Sequence, residues 1–230
     1  MCGRFSVAVP KKELAEYFNV EAFNEVFSPR YNAAPTQNLP VLYNPGERTL
    51  SLMRWGLIPH WASDPGLGVR MINARSETLE IKPSFKGCLE SRRCLVPADG
   101  FYEWRKDGSR RVPYRFYMKN RPVFAMAGLW DTWETSVGLN VSSFTIITTK
   151  ANKLMSFIHD RMPVILSREA ESLWLDDNKL SLKERLDLLQ PVPDAEILCY
   201  PVSTKINSPF YDDPSLVKPV GTSPDFLNSL

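Results

Sequence analysis

Gly100-Phe-Tyr-Glu-Trp-Arg105, Lys106-Asp-Gly-Ser109 and Tyr114-Arg-Phe-Tyr-Met118 form the stretch on which the fold is decided. The two aromatic-rich runs read as strands, and the Asp-Gly pair between them reads as a turn. Before them, Cys94-Leu-Val-Pro97 is a further strand. After them, Val123–Leu129 continues the antiparallel pattern, and Phe144–Thr149 and Ile197–Val202 are β-rich. Upstream, Phe5–Val9 is a short strand pattern, and Pro40–Tyr43 and Leu50–Trp55 flank a hairpin-type turn at Asn44-Pro-Gly-Glu47. Arg30–Thr36 reads as turn-rich and Val164–Leu166 as a short strand. Helical runs are expected at Lys11–Phe18, Phe85–Leu89, Ala151–Ile158, Glu169–Leu175 and Leu182–Leu189. In the first of these, Leu14, Tyr17 and Phe18 share a face. Strands dominate the middle, helices flank them, and no βαβ alternation appears. The fold class is therefore α+β: one domain with a curved, mainly antiparallel, barrel-like sheet flanked by helices. That domain is expected over residues 1–222, with a loose tail at Ser223–Leu230.

Bulk properties narrow the function. With 230 residues, 43% hydrophobic and 23% charged, the chain has ample material for a core. No apolar run approaches the ~20 residues of a membrane span. The polar start after Cys2 predicts no signal peptide, so a cytoplasmic protein is expected. Four cysteines at 2, 88, 94 and 199 make no CxxC pair and no metal-ligand spacing, so reduced thiols, no metal and no cofactor are expected. The chain lacks G-x-x-x-x-G-K-[ST], G-x-G-x-x-G and H-E-x-x-H, which leaves P-loop and zinc hydrolysis without support. Net charge is +2, unevenly spread. Residues 1–168 hold 23 Lys/Arg against 15 Asp/Glu, whereas residues 169–230 hold 5 against 11. An arginine-rich basic part suits phosphate contacts.

Several residues could carry chemistry. Loss of Met1 would leave Cys2 with a free α-amine and a thiol on neighbouring carbons, a pair able to capture an aldehyde and close a thiazolidine. Glu103, flanked by aromatic residues, is a candidate acid–base carboxyl, although a strand Glu paired with Arg105 is the ordinary reading. His159 stands beside Asp160 and Arg161, a grouping that could bind a phosphate or shuttle a proton, although an isolated histidine is more often structural. Asn73 and Arg75, two apart on an extended segment, suit a sugar oxygen and a phosphate, although a turn amide and a surface ion pair with Glu77 is the ordinary reading. Trp61, in an irregular loop, is a candidate for base stacking, and His60 attracts no role.

Together these motifs fall in one order. Met1-Cys-Gly-Arg, Tyr31-Asn-Ala-Ala-Pro, Trp55-Gly-Leu-Ile-Pro, Asn73-Ala-Arg-Ser-Glu-Thr, Arg93-Cys-Leu-Val-Pro-Ala-Asp-Gly-Phe-Tyr-Glu-Trp, Ala127-Gly-Leu-Trp and Ile158-His-Asp-Arg-Met-Pro-Val-Ile-Leu resemble the SRAP (SOS-response-associated peptidase) family, in a bacterial or phage-type form. The resemblance implies removal of Met1, then capture of the ring-opened aldehyde of an abasic site in single-stranded DNA as a thiazolidine crosslink that shields the lesion. It implies Cys2 as covalent nucleophile, Glu103 as acid–base residue, Asn73 positioning the Cys2 amine and the opened sugar, and His159 assisting proton transfer. Arg4, Arg75 and Arg161 would bind phosphates, and Asn32, Pro35 and Thr148 match positions lining the DNA cleft. A tryptophan used elsewhere in the family as a stacking wedge falls at Ala62 here, with Trp61 beside it. A monomer acting in DNA repair at the nucleoid is the implied setting.

Two other classes share features with this chain. N-terminal-nucleophile glutamine amidotransferases also begin Met-Cys-Gly, but the Asn-Gly pair that serves as their usual oxyanion element is missing here. A non-catalytic single-strand DNA-binding module would leave Cys2 without a role.

Overall fold

The computed structural model describes residues 2–21, 25–176 and 178–221. Met1 and the expected tail at 223–230 lie outside the described residues. Twelve strands and five α-helices are assigned among them. The first half holds β1 (Phe5–Val7), α1 (Lys11–Phe18), β2 (Arg30–Ala33), β3 (Asn38–Tyr43), β4 (Thr49–Trp55), β5 (Asn73–Arg75), α2 (Pro83–Ser91), β6 (Arg93–Ala98) and β7 (Gly100–Asp107). The second half holds β8 (Arg110–Met118), β9 (Phe124–Glu134), β10 (Asn140–Lys150), α3 (Lys153–Ser156), β11 (Arg161–Pro163), α4 (Arg168–Leu175), α5 (Leu182–Asp187) and β12 (Ile197–Pro201).

The barrel expected from sequence is real. Strands β10, β4, β3, β6 and β9 pair in that order, and β9 pairs back onto β10 to close the ring. Closure removes the exposed edges that an open sheet would leave. Its pairings are antiparallel except β10–β4, and β5 also lies parallel to β10. The second sheet runs β12-β8-β7-β1-β2. Its centre is the β7–β8 hairpin with which the sequence reading began, in register from Phe101↔Phe116 to Asp107↔Arg110.

Both faces of β7 are covered at its start. Phe101 joins the main core, whereas Tyr102 packs with Val202, Ile206 and Leu216 from the chain's last described stretch. This is why Phe101, Tyr102 and Glu103 are all buried where a one-sided strand would alternate. Gly100 opens β7 and leaves room for the Arg115 side chain: a Cβ there would sit 2.6 Å from the guanidinium and displace it. That guanidinium donates to the Asp99 carboxylate at 2.6 Å, and Asp99 accepts from the Ala8 N–H, so the end of β1 is pinned from beneath.

Three expectations need correction. Arg30–Ala33 is a strand within the stretch read as turn-rich, because β1 supplies it with a partner and Asp212 accepts from the Tyr31 and Asn32 amides. The strand expected at Val164–Leu166 sits at Arg161–Pro163, where it pairs with Thr148–Lys150, and only Ile165 makes an isolated bridge. The helix expected over 151–158 is the single turn Lys153–Ser156, capped by Asn152, whose side chain accepts from the Met155 N–H.

Candidate active site at the N-terminus

Cys2 is fully buried, not frayed. Three elements place it. Phe5 pairs with Phe101 and Ser6 with Gly100, so the chain running back from β1 passes level with Glu103 on β7. The Arg4 carbonyl accepts the Tyr102 N–H at 2.9 Å, which extends that pairing toward Cys2. From the barrel side, Asn73 Nδ2 donates to the Cys2 carbonyl at 2.8 Å. Asn73 opens β5 and is held against Ile146 of β10. Its Oδ1 is buried and has no hydrogen-bond partner among the described residues. A buried orphan acceptor is costly, and it points to a donor that arrives with a ligand or with a rearranged terminus.

The electrostatics of this corner are unusual. Burial pushes the Glu103 carboxyl up to about 7, with the charge of Asp160 adding to it, while the N-terminal charge and the Trp104 N–H pull the other way. Burial likewise pushes the Cys2 thiol up to about 12, and the Glu103 charge reinforces the shift. His159 is held below the usual imidazole value by burial first and then by the N-terminal charge. Its Nδ1 accepts the Arg161 N–H at 3.0 Å and lies 2.9 Å from the Asp160 carboxylate. Cys2, Glu103 and His159 all feel the chain's N-terminal charge, so these groups share one electrostatic neighbourhood. Of these three groups only Glu103, with its carboxyl near 7, is poised both to give and to take a proton at neutral pH.

The three arginines differ in their freedom. Arg4 Nη1 donates to Asn32 Oδ1 at 2.6 Å and to the Ile206 carbonyl at 2.9 Å. Arg161 grips Glu77 with both terminal nitrogens and also donates to the Thr148 carbonyl at 2.6 Å. Arg75 is exposed and has no such commitments among the described residues. Asn32 is fully buried, and its amide donates to the Ser208 and Tyr211 carbonyls. It therefore holds Arg4 from below the surface. Thr148 is fully buried as well, its hydroxyl on the Ala74 carbonyl. Pro35 is half-buried in the turn after β2, at the Cys2 end of β1. Trp61 is 53% exposed, whereas Ala62 is buried and its carbonyl accepts from the Trp133 indole. The ordinary role for Glu103, pairing with Arg105, does not account for its shift, which comes from burial; the Arg105 guanidinium lies over the Tyr114 ring at 5.4 Å.

Sequence reasoning missed the segment that secures Arg4 and Asn32. Residues 203–213 supply three carbonyls to those two side chains, and Asp212 binds the Asn32 N–H. The only signal in the sequence was a polar, proline-bearing stretch of no evident periodicity. His60, given no role from sequence, is tied to the buried Asp131, which also binds Arg92. No group of three or more metal-ligating side chains occurs among the described residues, and no helix there is long and apolar enough to cross a membrane.

The chain is similar to known proteins along most of its length. The family model for SOS response associated peptidase (SRAP) matches residues 1–209. The chain is 44% identical over 222 residues to the abasic site processing protein YoqW of Bacillus subtilis, covering 95% of this chain and 99% of that one. It is 36% identical to the abasic site processing protein HMCES of Xenopus tropicalis over 80% of this chain and 64% of the relative. A crystal structure of a protein from Bacteroides thetaiotaomicron superposes with a TM-score of 0.87 at 30% identity, over 95% of this chain and all of the other. The chain belongs to the SOS response associated peptidase family.

Proposed function

Proceeding from that membership, we propose that the protein captures abasic sites in single-stranded DNA as a covalent thiazolidine on Cys2, once Met1 has been removed. The observation that carries the reading is a buried Cys2 close enough to Glu103, a carboxyl near 7, to feel its charge. The order of steps follows from the proton affinities. With its thiol held protonated near 12, Cys2 attacks first through its α-amine, whose ordinary value is about 8. The amine adds to the aldehyde carbon, a C–N bond forms, and water leaves with a proton from Glu103. The thiol then adds to the protonated imine carbon, a C–S bond forms, and the thiol proton returns to Glu103, which leaves the ring nitrogen neutral. The Asn73 Oδ1 accepts from the amine or from a sugar hydroxyl, and His159 assists proton transfer. Arg75 meets phosphate directly, while Arg4 and Arg161 reach it from positions held by Asn32 and Glu77. A damaged site in a single strand needs no base flipping. The same corner supports self-removal of Met1, with the Cys2 thiol as nucleophile. A monomer acting on damaged DNA in the SOS response fits these properties.

The test is incubation with a single-stranded oligonucleotide carrying one abasic site, read on a denaturing gel alongside the intact mass of the protein. A slower covalent band is expected, made by protein lacking Met1 and absent from Cys2→Ala. Equal crosslinking by Cys2→Ala, or by protein that retains Met1, would overturn the reading.

A further inference from the structure

Lys106 and Arg111 stand directly opposite each other in the β7–β8 hairpin, so both side chains leave the same face of the sheet. Both are exposed, and neither has an ion-pair partner among the described residues. Like charges in this position destabilise a hairpin unless something anionic meets them. The carboxylates nearby are turned away or held elsewhere. Asp107 stands opposite Arg110 on the other face of the hairpin, Asp212 binds Arg30, and Asp213 caps the turn at Ser215.

Trp104 shares the face with Lys106, and its indole donates to Asn207 Oδ1 at 2.7 Å. That bond fastens the hairpin to the 203–213 segment, which presents Phe210 at 95% exposure and Tyr211 at 48%. The Lys205 ammonium lies 5.8 Å from the Tyr211 ring centroid. The same segment reaches the reaction centre, because the Ile206 carbonyl accepts from Arg4. Lys106 is three residues along β7 from Glu103, about 10 Å, and its side chain leaves the other face, the one that carries Tyr102 and Trp104 and meets the 203–213 segment.

We propose that this aromatic and cationic surface is a track for the single strand continuing away from the Cys2 site, with Phe210 stacking on a base and Lys106 and Arg111 on phosphates. The proposal rests on the single-strand DNA reading above and adds a second contact region to it. Exposed rings beside uncompensated cations are the pattern that binds single strands without sequence preference. An acidic protein surface would satisfy the cations but leave Phe210 in water.

The test compares wild type, K106A/R111A and F210A. All three side chains are exposed, and melting curves would check that each variant folds. Binding to an undamaged 20-nucleotide dT strand is measured against salt, and crosslinking is measured on a trinucleotide with a central abasic site. K106A/R111A is expected to flatten the slope of log affinity against log salt by about 1.4, two single-strand phosphates' worth. F210A is expected to weaken the 20-nucleotide strand about tenfold. Both should crosslink the trinucleotide at the wild-type rate. Unchanged affinity and slope in both variants would overturn the track and leave the patch to an acidic protein partner. Loss of affinity in the variants together with no crosslinking by wild type would refute the covalent function while the track stands.

Discussion

Glu103 and Lys106 lie three residues apart on one strand and handle charge in opposite ways. Glu103 is 4% exposed, and burial lifts its carboxyl to about 7. Lys106 stands in water opposite another cation, where salt screens it. On the proposed function, the buried end of β7 would govern proton transfer, and the exposed end would govern how firmly a polyanion is held. A substitution near Cys2 should change rate at constant affinity, whereas one at the hairpin tip should change affinity at constant rate.

Glu103→Gln gives the largest expected break between the two ends. Crosslinking should slow by roughly 10²- to 10⁴-fold, the usual range for a positioned acid–base group. Affinity for undamaged single strand should stay within about twofold. The wild-type rate should fall as pH rises through about 7, as Glu103 loses the proton it gives to the departing water, and the Gln variant should lose that inflection. Stability moves the same way. An unfolded Glu releases its proton near 4.3, but the folded one keeps it to about 7, so the native state binds the extra proton between those values. Wild-type stability therefore falls as pH rises across that window. Glu103→Gln escapes the loss and should be more stable at pH 8 by on the order of 3 kcal/mol, with no difference near pH 4. Equal losses of rate and affinity would make Glu103 a structural residue.

The arginines sharpen the same contrast at intermediate size. Arg161 is committed to Glu77, whose carboxyl its hydrogen bonds draw down to about 2. Arg161→Ala should cost about 1 kcal/mol at pH 7, a value discounted because the Glu77 side chain is 42% exposed. A depressed carboxylate stabilises the fold above its unfolded value. The penalty should therefore shrink as pH falls from about 4.5 toward about 2. Arg75→Ala should leave the melting temperature unchanged and weaken DNA binding severalfold with a shallower salt slope. If Arg161→Ala and Arg75→Ala behave alike in both measurements, the distinction between held and free guanidinium groups fails.

These contrasts also mark what the sequence could and could not disclose. Period-two aromatic runs around Asp107-Gly108 made the β7–β8 hairpin legible, and the barrel followed from the run of strands without intervening helices. The Arg30–Ala33 strand was hidden because its amides are satisfied by β1 and by Asp212, some 180 residues away. Cys2, Glu103, Asn73 and His159 were legible as an ordered set of motifs whose chemistry is complementary. The commitments of Arg4, Asn32 and Arg161 were not, since their partners at Ile206, Ser208, Tyr211 and Glu77 are remote in sequence. Local pattern reports what a side chain is able to do. Only the fold shows whether that capacity is already in use.

The smallest expected effect lies in the turn beside Pro35. Thr36 has φ +74°, and the Gln37 N–H donates to the Ala34 carbonyl at 3.3 Å, so Ala34–Gln37 is a type II turn with proline at its second position and threonine at its third. The third position favours glycine, and a β-branched residue there is strained by about 1–3 kcal/mol. Thr36→Gly relieves that strain and loses part of the gain to the greater freedom of glycine in the unfolded chain. A net stabilisation of about 0.5–1 kcal/mol is expected, visible as a melting temperature raised by roughly 2 °C. The Thr36 N–H bond to the Trp55 carbonyl needs no side chain, so the turn should keep its place at the Cys2 end of β1 and the crosslinking rate should be unchanged. Thr36→Val, which keeps the strain and removes the hydroxyl, separates the two contributions. A Val variant that crosslinks slowly would show that the hydroxyl works at the site, and the strain would then belong to the buried, rate-governing region and not to the scaffold.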